Sequence, residues 1–257
     1  MQEFDITFRF RSKLNISYSF DSVMEHEGIK METKDGKICG GTTISIEKDD
    51  YNFAREKAVE ELEKLASVLT LIFGEAFVVE DVEVKRKPII ENKGKFKKII
   101  LDEVLGVKDV SIRRDVKYSK ESLDKIKEEM KKLTDKINEL KEGKDFLRAI
   151  KWWRKGNLEE DGVDKFLDYF ISFEMLASIK GYKSKYKEDW ARKFSDDYSI
   201  TYKPDGEVTI NEIRNIIMHE PGPEKEKAEK LAIQYADIFG KEVLEAIKKI
   251  IKQQSTN

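Results

Sequence analysis

The chain is poor in the residues that form disulfides and most transition-metal sites. Its 257 residues include one cysteine, Cys39, and two histidines, His26 and His219. A lone cysteine cannot form a disulfide within the chain, which is typical of proteins from a reducing compartment. The same shortage excludes a zinc site of the usual Cys/His spacing. Acidic residues are frequent enough to leave a magnesium site open, but no motif indicates one, and we predict no metal and no cofactor.

Long apolar runs are missing as well. No stretch reaches the length of about 18 apolar residues needed for a membrane-spanning helix, and the first residues, MQEFDITFRFR, lack the apolar core of a signal peptide. The formal net charge is only −2, so affinity for nucleic acid would have to come from local patches. Hydrophobic residues, 39% of the chain, are enough to bury a core. These properties predict a cytoplasmic globular protein that does not enter a membrane.

The first part of the chain alternates with the period of a β-strand. In EFDITFRFR, residues 3–11, apolar side chains fall on one face and polar side chains on the other. The turn dipeptide Asp35-Gly36 lies between two strand-like runs and predicts a hairpin. His26 falls outside these runs, in a predicted loop, and has no assigned role. We predict an α+β domain over residues 1–118, with an antiparallel sheet and one helix. Its other predicted elements are strands within 14–20, 75–90 and 109–119 and a helix over 51–73.

After residue 118 the pattern becomes helical. Apolar residues spaced alternately by three and four form a seam from Leu123 to Leu140. This seam indicates a long helix that packs in a hairpin, against a partner, or against its own domain. We predict an all-helical domain over residues 119–257. Its other predicted elements are helices over 144–155, 161–180, 184–194 and 223–252 and a short β-hairpin within 198–210.

A short helix before two closely spaced prolines carries the second histidine. In TINEIRNIIMHEPGP, residues 209–223, Thr209 and Glu212 have the spacing of a capping box, which predicts that the helix begins near Ile210. Pro221 disfavours helical geometry at the residue before it, so the helix should end there. The segment is therefore predicted to form at most three helical turns.

The two faces of this short helix differ in chemistry. Asn215 and His219 lie four residues apart and share one face, and Arg214 lies at the edge of the other. That other face is apolar and consists of Ile210, Ile213, Ile216 and Ile217. Because the isoleucines would anchor the helix to a core, Asn215 and His219 are predicted to point away from it. The alternative is that His219 is a surface histidine without a role.

An acidic residue interrupts the apolar face of an earlier helix. In DKFLDYFISFEMLASIKG, residues 164–181, Glu174 falls among apolar positions. A carboxylate there should be partly buried and would need a donor. We predict that Arg214 is that donor, through a bidentate ion pair. The pair would either only join the two helices or also orient Arg214 for a phosphate.

The stretch Arg214-Asn215-Ile216-Ile217-Met218-His219 resembles the signature of the HEPN superfamily (higher eukaryote and prokaryote nucleotide-binding domains). That signature is an arginine, usually followed by a polar residue, with a histidine four to six residues after the arginine near the end of a helix. Glu174 matches the acidic or polar residue that the family carries on an earlier core helix, and a long helix follows the motif. The resemblance covers roughly residues 140–257 and implies a helical bundle that dimerises through the motif helices.

The resemblance also implies a metal-independent endoribonuclease. The RNA's own 2′-OH would attack the phosphate and leave a 2′,3′-cyclic phosphate and a 5′-OH. His219 would act as general acid or base, Arg214 would stabilise the transition state, and Asn215 would position the histidine or the phosphate. A homodimer would supply the second histidine. Such an enzyme could serve in defence or a toxin–antitoxin pair, with a regulatory partner or ligand on residues 1–118. The alternative is a non-catalytic helical dimer that binds RNA, a nucleotide or a partner protein.

Aromatic and basic residues interleave in KGYKSKYKEDWARK, residues 180–193. Bases can stack on aromatic rings while cations meet phosphates, so this pattern is a candidate RNA-binding surface. The alternative is that the aromatic residues pack inward and the lysines are simply solvated. The candidate RNA contacts are Lys183, Lys185, Tyr186, Trp190 and Arg192.

Overall fold

The computed structural model describes residues 1–13, 16–47, 50–87 and 114–253. The strands are β1 (Gln2–Ser12), β2 (Ile16–Phe20), β3 (Met24–His26), β4 (Ile29–Lys34), β5 (Lys37–Ile46), β6 (Phe77–Arg86) and β7 (Arg114–Tyr118). The helices are α1 (Tyr51–Phe73), α2 (Lys120–Glu139), α3 (Gly143–Leu158), α4 (Gly162–Ile179), α5 (Tyr182–Tyr186), α6 (Trp190–Tyr198), α7 (Ile210–His219) and α8 (Pro223–Gln253). A 3-10 turn, Lys187–Asp189, joins α5 to α6.

Five strands form an antiparallel sheet in the order β3-β4-β5-β1-β6. The alternation in β1 places Phe4, Ile6, Phe8 and Phe10 on the buried face. The predicted hairpin forms between β4 and β5, where Asp35 and Gly36 both take positive φ. Strand β2 pairs in parallel with β7 as a separate two-stranded sheet, which was not predicted.

Helix α1 covers one side of this sheet and packs mainly against β6. Its inner face carries Ala58 and three leucines at helical spacing, and all four are buried. Asp50 caps the first turn by accepting a hydrogen bond from the N–H of Phe53, and Gly74 ends the helix at a φ of 72°. The predicted bounds of this helix are confirmed.

The regular elements described after β7 are all helical, so the predicted α+β architecture, with strands first and helices after, is confirmed. Helices α3, α4 and α8 pack closely together. Phe166 of α4 lies 5.2 Å from Phe239 of α8 between ring centroids, and the indole N–H of Trp153 donates to the carbonyl of Gly240 at 2.6 Å. The α2 seam contacts α1 and β3, which belong to the first predicted domain, and α3, which belongs to the second.

Arg154 links the helical layer to the sheet layer. Its guanidinium is buried; Nε donates to the carbonyl of Phe77 at 2.8 Å, and Nη1 lies 3.2 Å from the Glu63 carboxylate. Burial lowers the pKa of Arg154, and the Glu63 charge opposes that effect. The buried apolar residues of both layers form one continuous core. The predicted boundary at residue 118 falls at the N-cap of α2, Ser119, within this packed unit.

The β-hairpin predicted within 198–210 is wrong. The turn itself forms, with the N–H of Gly206 donating to the carbonyl of Lys203 at 3.2 Å, but no strand flanks it. Instead, Asp205 Oδ1 accepts a hydrogen bond from the N–H of Val208 at 2.8 Å. The backbone of this segment is satisfied by its own side chains and by helix α8, so cross-strand pairing does not form.

Two smaller predictions are also wrong. His26 is the last residue of β3 and is buried, with Nε2 at 3.0 Å from the hydroxyl of Thr134 on α2. The single helix predicted over 184–194 is interrupted, because Lys187 takes a φ of 47° and the chain restarts as α6. In the described ranges, no helix combines the length and apolar character that crossing a membrane requires.

Candidate active site on helix α7

The capping box defines where α7 begins. The Thr209 hydroxyl accepts a hydrogen bond from the N–H of Glu212 at 3.1 Å, and the Glu212 carboxylate accepts one from the N–H of Thr209 at 2.8 Å. These hydrogen bonds lower the pKa of Glu212, because they favour its charged form. The helix ends at His219, and Glu220 returns to extended geometry before Pro221. The predicted bounds are confirmed.

The two faces of α7 are separated as the sequence predicts. Ile210, Ile213 and Ile217 are buried, and Ile216 is half-buried. Burying an isoleucine side chain contributes about 2 kcal/mol, so this face holds the helix firmly on the core. The exposed face carries Asn215, Met218 and His219.

Arg214 and Asn215 form a hydrogen-bonded pair on the surface of α7. Arg214 Nη1 donates to Asn215 Oδ1 at 3.0 Å, and the arginine is half-buried. Within the described ranges, Arg214 forms no ion pair with a carboxylate. Its positive charge is therefore free to meet an anion, and His219 lies one helical turn beyond Asn215.

The predicted Glu174–Arg214 ion pair is wrong. Glu174 is half-exposed and accepts a hydrogen bond from Lys183 Nζ at 2.6 Å. Helix α5 begins just after α4 ends, and this returns Lys183 over the preceding helix. The Lys183 ammonium also lies 5.2 Å from the centroid of the Trp190 ring. Glu174 therefore stabilises the α4–α5 junction and does not orient the motif arginine.

The predicted RNA contacts fall into three groups. Lys183 and Trp190 lie together beside Glu174. Lys185 and Tyr186 line a groove of about 470 Å³, where the ammonium lies 4.9 Å from the ring centroid. Arg192 donates to both carboxylate oxygens of Asp189, at 2.8 and 2.6 Å, so that neighbour already neutralises its charge. The structure therefore brings only Lys185 and Tyr186 to a shared groove.

This groove, hereafter the Tyr186 groove, lies at the far end of α8 from the motif. Tyr198 and Gln253 also line it, and the Tyr198 hydroxyl donates to the Gln253 side chain at 3.1 Å. His219, in contrast, lies just before the first turn of α8. A helix rises about 1.5 Å per residue, so the 31 residues of α8 extend over about 46 Å. The groove and the motif are two separate sites within one subunit.

A polar cluster that the sequence did not reveal holds the segment leading into α7. Thr201 donates to Glu242 through its N–H at 3.0 Å and its hydroxyl at 2.7 Å. The Tyr235 hydroxyl donates to both the carbonyl of Thr201 and the Glu242 carboxylate. Burial and the carboxylate raise the pKa of Tyr235. The only sequence signal is that Tyr235 and Glu242 lie seven residues apart and so share one face of α8.

Glutamates interleaved with Lys225 and Lys227 follow the end of the motif in sequence. Glu220, Glu224 and Glu226 follow His219 and are exposed. Arg214 is therefore the principal positive charge that α7 offers to a phosphate. On this one short helix, the imidazole of His219 can transfer a proton and the guanidinium of Arg214 can bind an anion. The amide of Asn215 can orient the imidazole or the anion. In the described ranges, no group of three or more histidine, cysteine and acidic residues is arranged to hold a metal ion.

Comparisons with family models, curated proteins and solved structures found no match to this chain. The resemblance to the HEPN superfamily therefore depends on the residues of α7 and the elements around it.

Proposed function

We propose that the chain is a metal-independent endoribonuclease of the HEPN type. The observation that supports this best is the outward face of α7, where Arg214 is hydrogen-bonded to Asn215 and His219 lies one turn further along. Asn215 and His219 are exposed and Arg214 is half-buried, while Ile210, Ile213 and Ile217 fix the helix to the core. An exposed imidazole on the same short helix as a guanidinium without a carboxylate partner suits a substrate that carries a phosphodiester.

The proposed reaction needs two proton transfers. The RNA 2′-OH attacks phosphorus, a new P–O2′ bond forms, and the P–O5′ bond breaks. A base takes the proton of the 2′-OH, and an acid gives a proton to the leaving O5′. His219 would perform one of these roles, and Arg214 would stabilise the negative charge that develops on the phosphate oxygens.

One chain offers a single suitable imidazole, because His26 is buried against Thr134 between the two layers. A homodimer that joins two α7 helices would supply the second histidine and a second arginine. Met218 supports this arrangement, since it is 52% exposed between Asn215 and His219 and offers an apolar contact to a second copy. Two arginines would also offset the acidic residues that follow each motif.

A second candidate function is a non-catalytic helical dimer that binds RNA, a nucleotide or a protein. The exposed Glu220, Glu224 and Glu226 favour it, because they outnumber the interleaved Lys225 and Lys227 and weaken the attraction of a phosphate to the motif. Glu174 pairs with Lys183 instead, so among the described residues Arg214 has a side-chain hydrogen bond only to its neighbour Asn215. A cytoplasmic setting, in defence or a toxin–antitoxin pair, belongs to the nuclease proposal.

The test is RNA cleavage in the presence of EDTA. Wild-type protein should cleave RNA and leave 2′,3′-cyclic phosphate ends. His219→Ala should lower the rate by about 10²- to 10⁴-fold and Arg214→Ala by about 10²- to 10³-fold. Lys230→Ala, an exposed charge change on α8, is the matched control and should leave the rate unchanged.

Three outcomes would count against the nuclease. Full activity in His219→Ala would show that His219 has no catalytic role. Loss of wild-type activity in EDTA would show that cleavage requires a metal ion and would contradict the proposed mechanism. RNA binding and dimerisation without cleavage would favour the second candidate function.

A further inference from the structure

A cavity of about 390 Å³ lies between the sheet and the helical layer, away from α7. Strands β3 to β5 form one wall, α1 and α2 form two more, and Leu147 of α3 closes one side. Both layers therefore contribute to the cavity. Its volume falls in the range of small-molecule sites, which is about 300–1,000 Å³.

The small side chain of Thr42 on β5 helps to leave this space unfilled. The inward-facing positions of β5 alternate, and Ile38 and Ile46 at its two ends are buried. Between them, the inward residues Thr42 and Ile44 line the cavity, whereas the Phe8 ring occupies the space over Gly40. Helix α1 packs mainly on β6, and α2 contacts β3, so neither helix fully covers the middle of β5. The cavity lies over the middle of β5, between α1 and α2.

The cavity has an apolar floor and a polar rim. Ile44, Leu65, Val68 and Ile137 supply aliphatic surface. On the rim, Lys64 donates to Glu61 Oε1 at 2.9 Å, and both side chains are about two-fifths exposed. Glu61 keeps its second oxygen for another donor. An apolar surface with a few convergent polar groups is the usual composition of a ligand site.

The groove outside the opening is negatively charged, and in the cavity lining Glu27 and Glu61 outnumber Lys64, which pairs with one oxygen of Glu61. A surface groove shares His26, Glu27 and Thr134 with the cavity and so continues it outward. Acidic residues outnumber lysines in this groove: the acids are Glu25, Glu27, Asp124, Glu128 and Asp135, and the lysines are Lys127 and Lys131. Burial lowers the pKa of His26, so its imidazole is neutral at pH 7 and adds no positive charge. This field attracts cations and repels carboxylates and phosphates.

We propose that this cavity binds a small organic cation, an amine whose apolar body lies on the aliphatic floor and whose ammonium group donates to Glu61. Because walls from both layers would contact the amine, binding would stabilise the packing of α2 against β3. The proposal does not depend on the ribonuclease function of α7.

The experiment uses the full chain with methyl-labelled isoleucine, leucine and valine. Three amines with different apolar bodies, phenethylamine, tryptamine and hexylamine, are titrated while methyl resonances are followed by NMR. At least one amine should shift the resonances of Leu65, Val68 and Ile137 and raise the unfolding temperature. Hydrocinnamate, which carries a carboxylate on the phenethyl body, should bind about tenfold more weakly than phenethylamine or not at all.

Matched variants separate this site from non-specific binding. Glu61→Gln should weaken amine binding about three- to tenfold, whereas Glu60→Gln, an exposed neighbour on α1, should not. Thr42→Leu should fill the cavity and abolish the methyl shifts. If Thr42→Leu does not fold, the Glu61 and Glu60 variants decide the matter. The proposal is overturned if no amine shifts these resonances, if hydrocinnamate binds as well as phenethylamine, or if both glutamate variants behave alike.

Discussion

Thr201 and Glu242 are joined by two hydrogen bonds, one from the threonine N–H and one from its hydroxyl, across 41 residues of sequence. This contact holds the segment before α7 against α8. The N–H of Ile210, the first residue of α7, then donates to the carbonyl of Tyr202, one residue after Thr201. The position of the motif helix therefore depends on a carboxylate two turns beyond Tyr235 on α8.

Replacing Glu242 with alanine should loosen α7 without unfolding the protein. The change leaves the N–H and hydroxyl of Thr201 without their acceptor and leaves the hydroxyl of Tyr235 with the Thr201 carbonyl alone. We expect a loss of about 1–3 kcal/mol of stability. Hydrogen exchange should become faster at the amides of Ile213 and Ile217. Glu245→Ala is the control, because Glu245 is exposed on the same helix and pairs only with Lys248. Equal exchange in both variants would contradict the role given to Glu242.

Replacing Arg154 with methionine should strongly destabilise the whole chain. The change leaves the carbonyl of Phe77 without its side-chain donor and the partly buried carboxylate of Glu63 with the longer ion pair to Lys151, at 3.6 Å. Loss of one member of a buried ion pair costs about 3–5 kcal/mol of unfolding free energy. Urea unfolding of the variant and the wild-type protein would measure this loss. Arg148→Met, an exposed change on the same helix, should cost far less. A small effect at Arg154 would mean that apolar packing alone joins the layers.

His26 should make stability depend on pH. Burial lowers its pKa in the folded state, while Glu27 and Asp135 raise it and Lys127 lowers it further. The unfolded chain therefore binds a proton first as pH falls through about 6.5, so the contribution of neutral His26 is present above that value and is lost below it. Wild-type protein should lose more unfolding free energy than His26→Gln between about pH 7.5 and 5. Parallel curves would show that His26 carries no such linkage.

The Tyr186 groove should affect long RNA more than short RNA. It lies at the opposite end of α8 from His219, so a dinucleotide cannot contact both within one subunit. Tyr186→Ala should raise the KM for a long RNA about fivefold, because one stacking contact is lost, and should leave dinucleotide cleavage unchanged. Arg192→Ala serves as the control, since Asp189 already neutralises that arginine. An equal loss with both substrates would place the groove next to the reacting phosphate.

Local patterns predicted the elements, and tertiary contacts decided their partners. The capping box and the isoleucine spacing were enough to define α7 and its exposed face, because both depend on neighbours within four residues. The spacing of Glu174 correctly placed it beside an apolar helix face, but could not select between Lys183 and Arg214 as its donor. The nearer residue in sequence became the partner.

The remaining errors have a similar origin. Pairing of β2 with β7 joins residues about 98 positions apart in the chain, from Ile16 to Arg114, and no periodicity reports such a contact. The segment 198–210 alternates like a hairpin, but Glu242 and Tyr235 satisfy its backbone from a distant helix. In both segments, the structure depends on hydrogen-bond donors and acceptors that lie far away in the sequence.

The buried guanidinium of Arg154 also bears on how this protein could be dissected. A fragment that begins at residue 119 would expose the apolar seam of α2 to water and leave Arg154 without the carbonyl of Phe77 and the carboxylate of Glu63. Such a fragment would expose a large apolar surface and aggregate. Truncation at residue 119 would therefore yield insoluble inclusion bodies and not a folded helical bundle. Helix α7 needs the intact chain to keep its position.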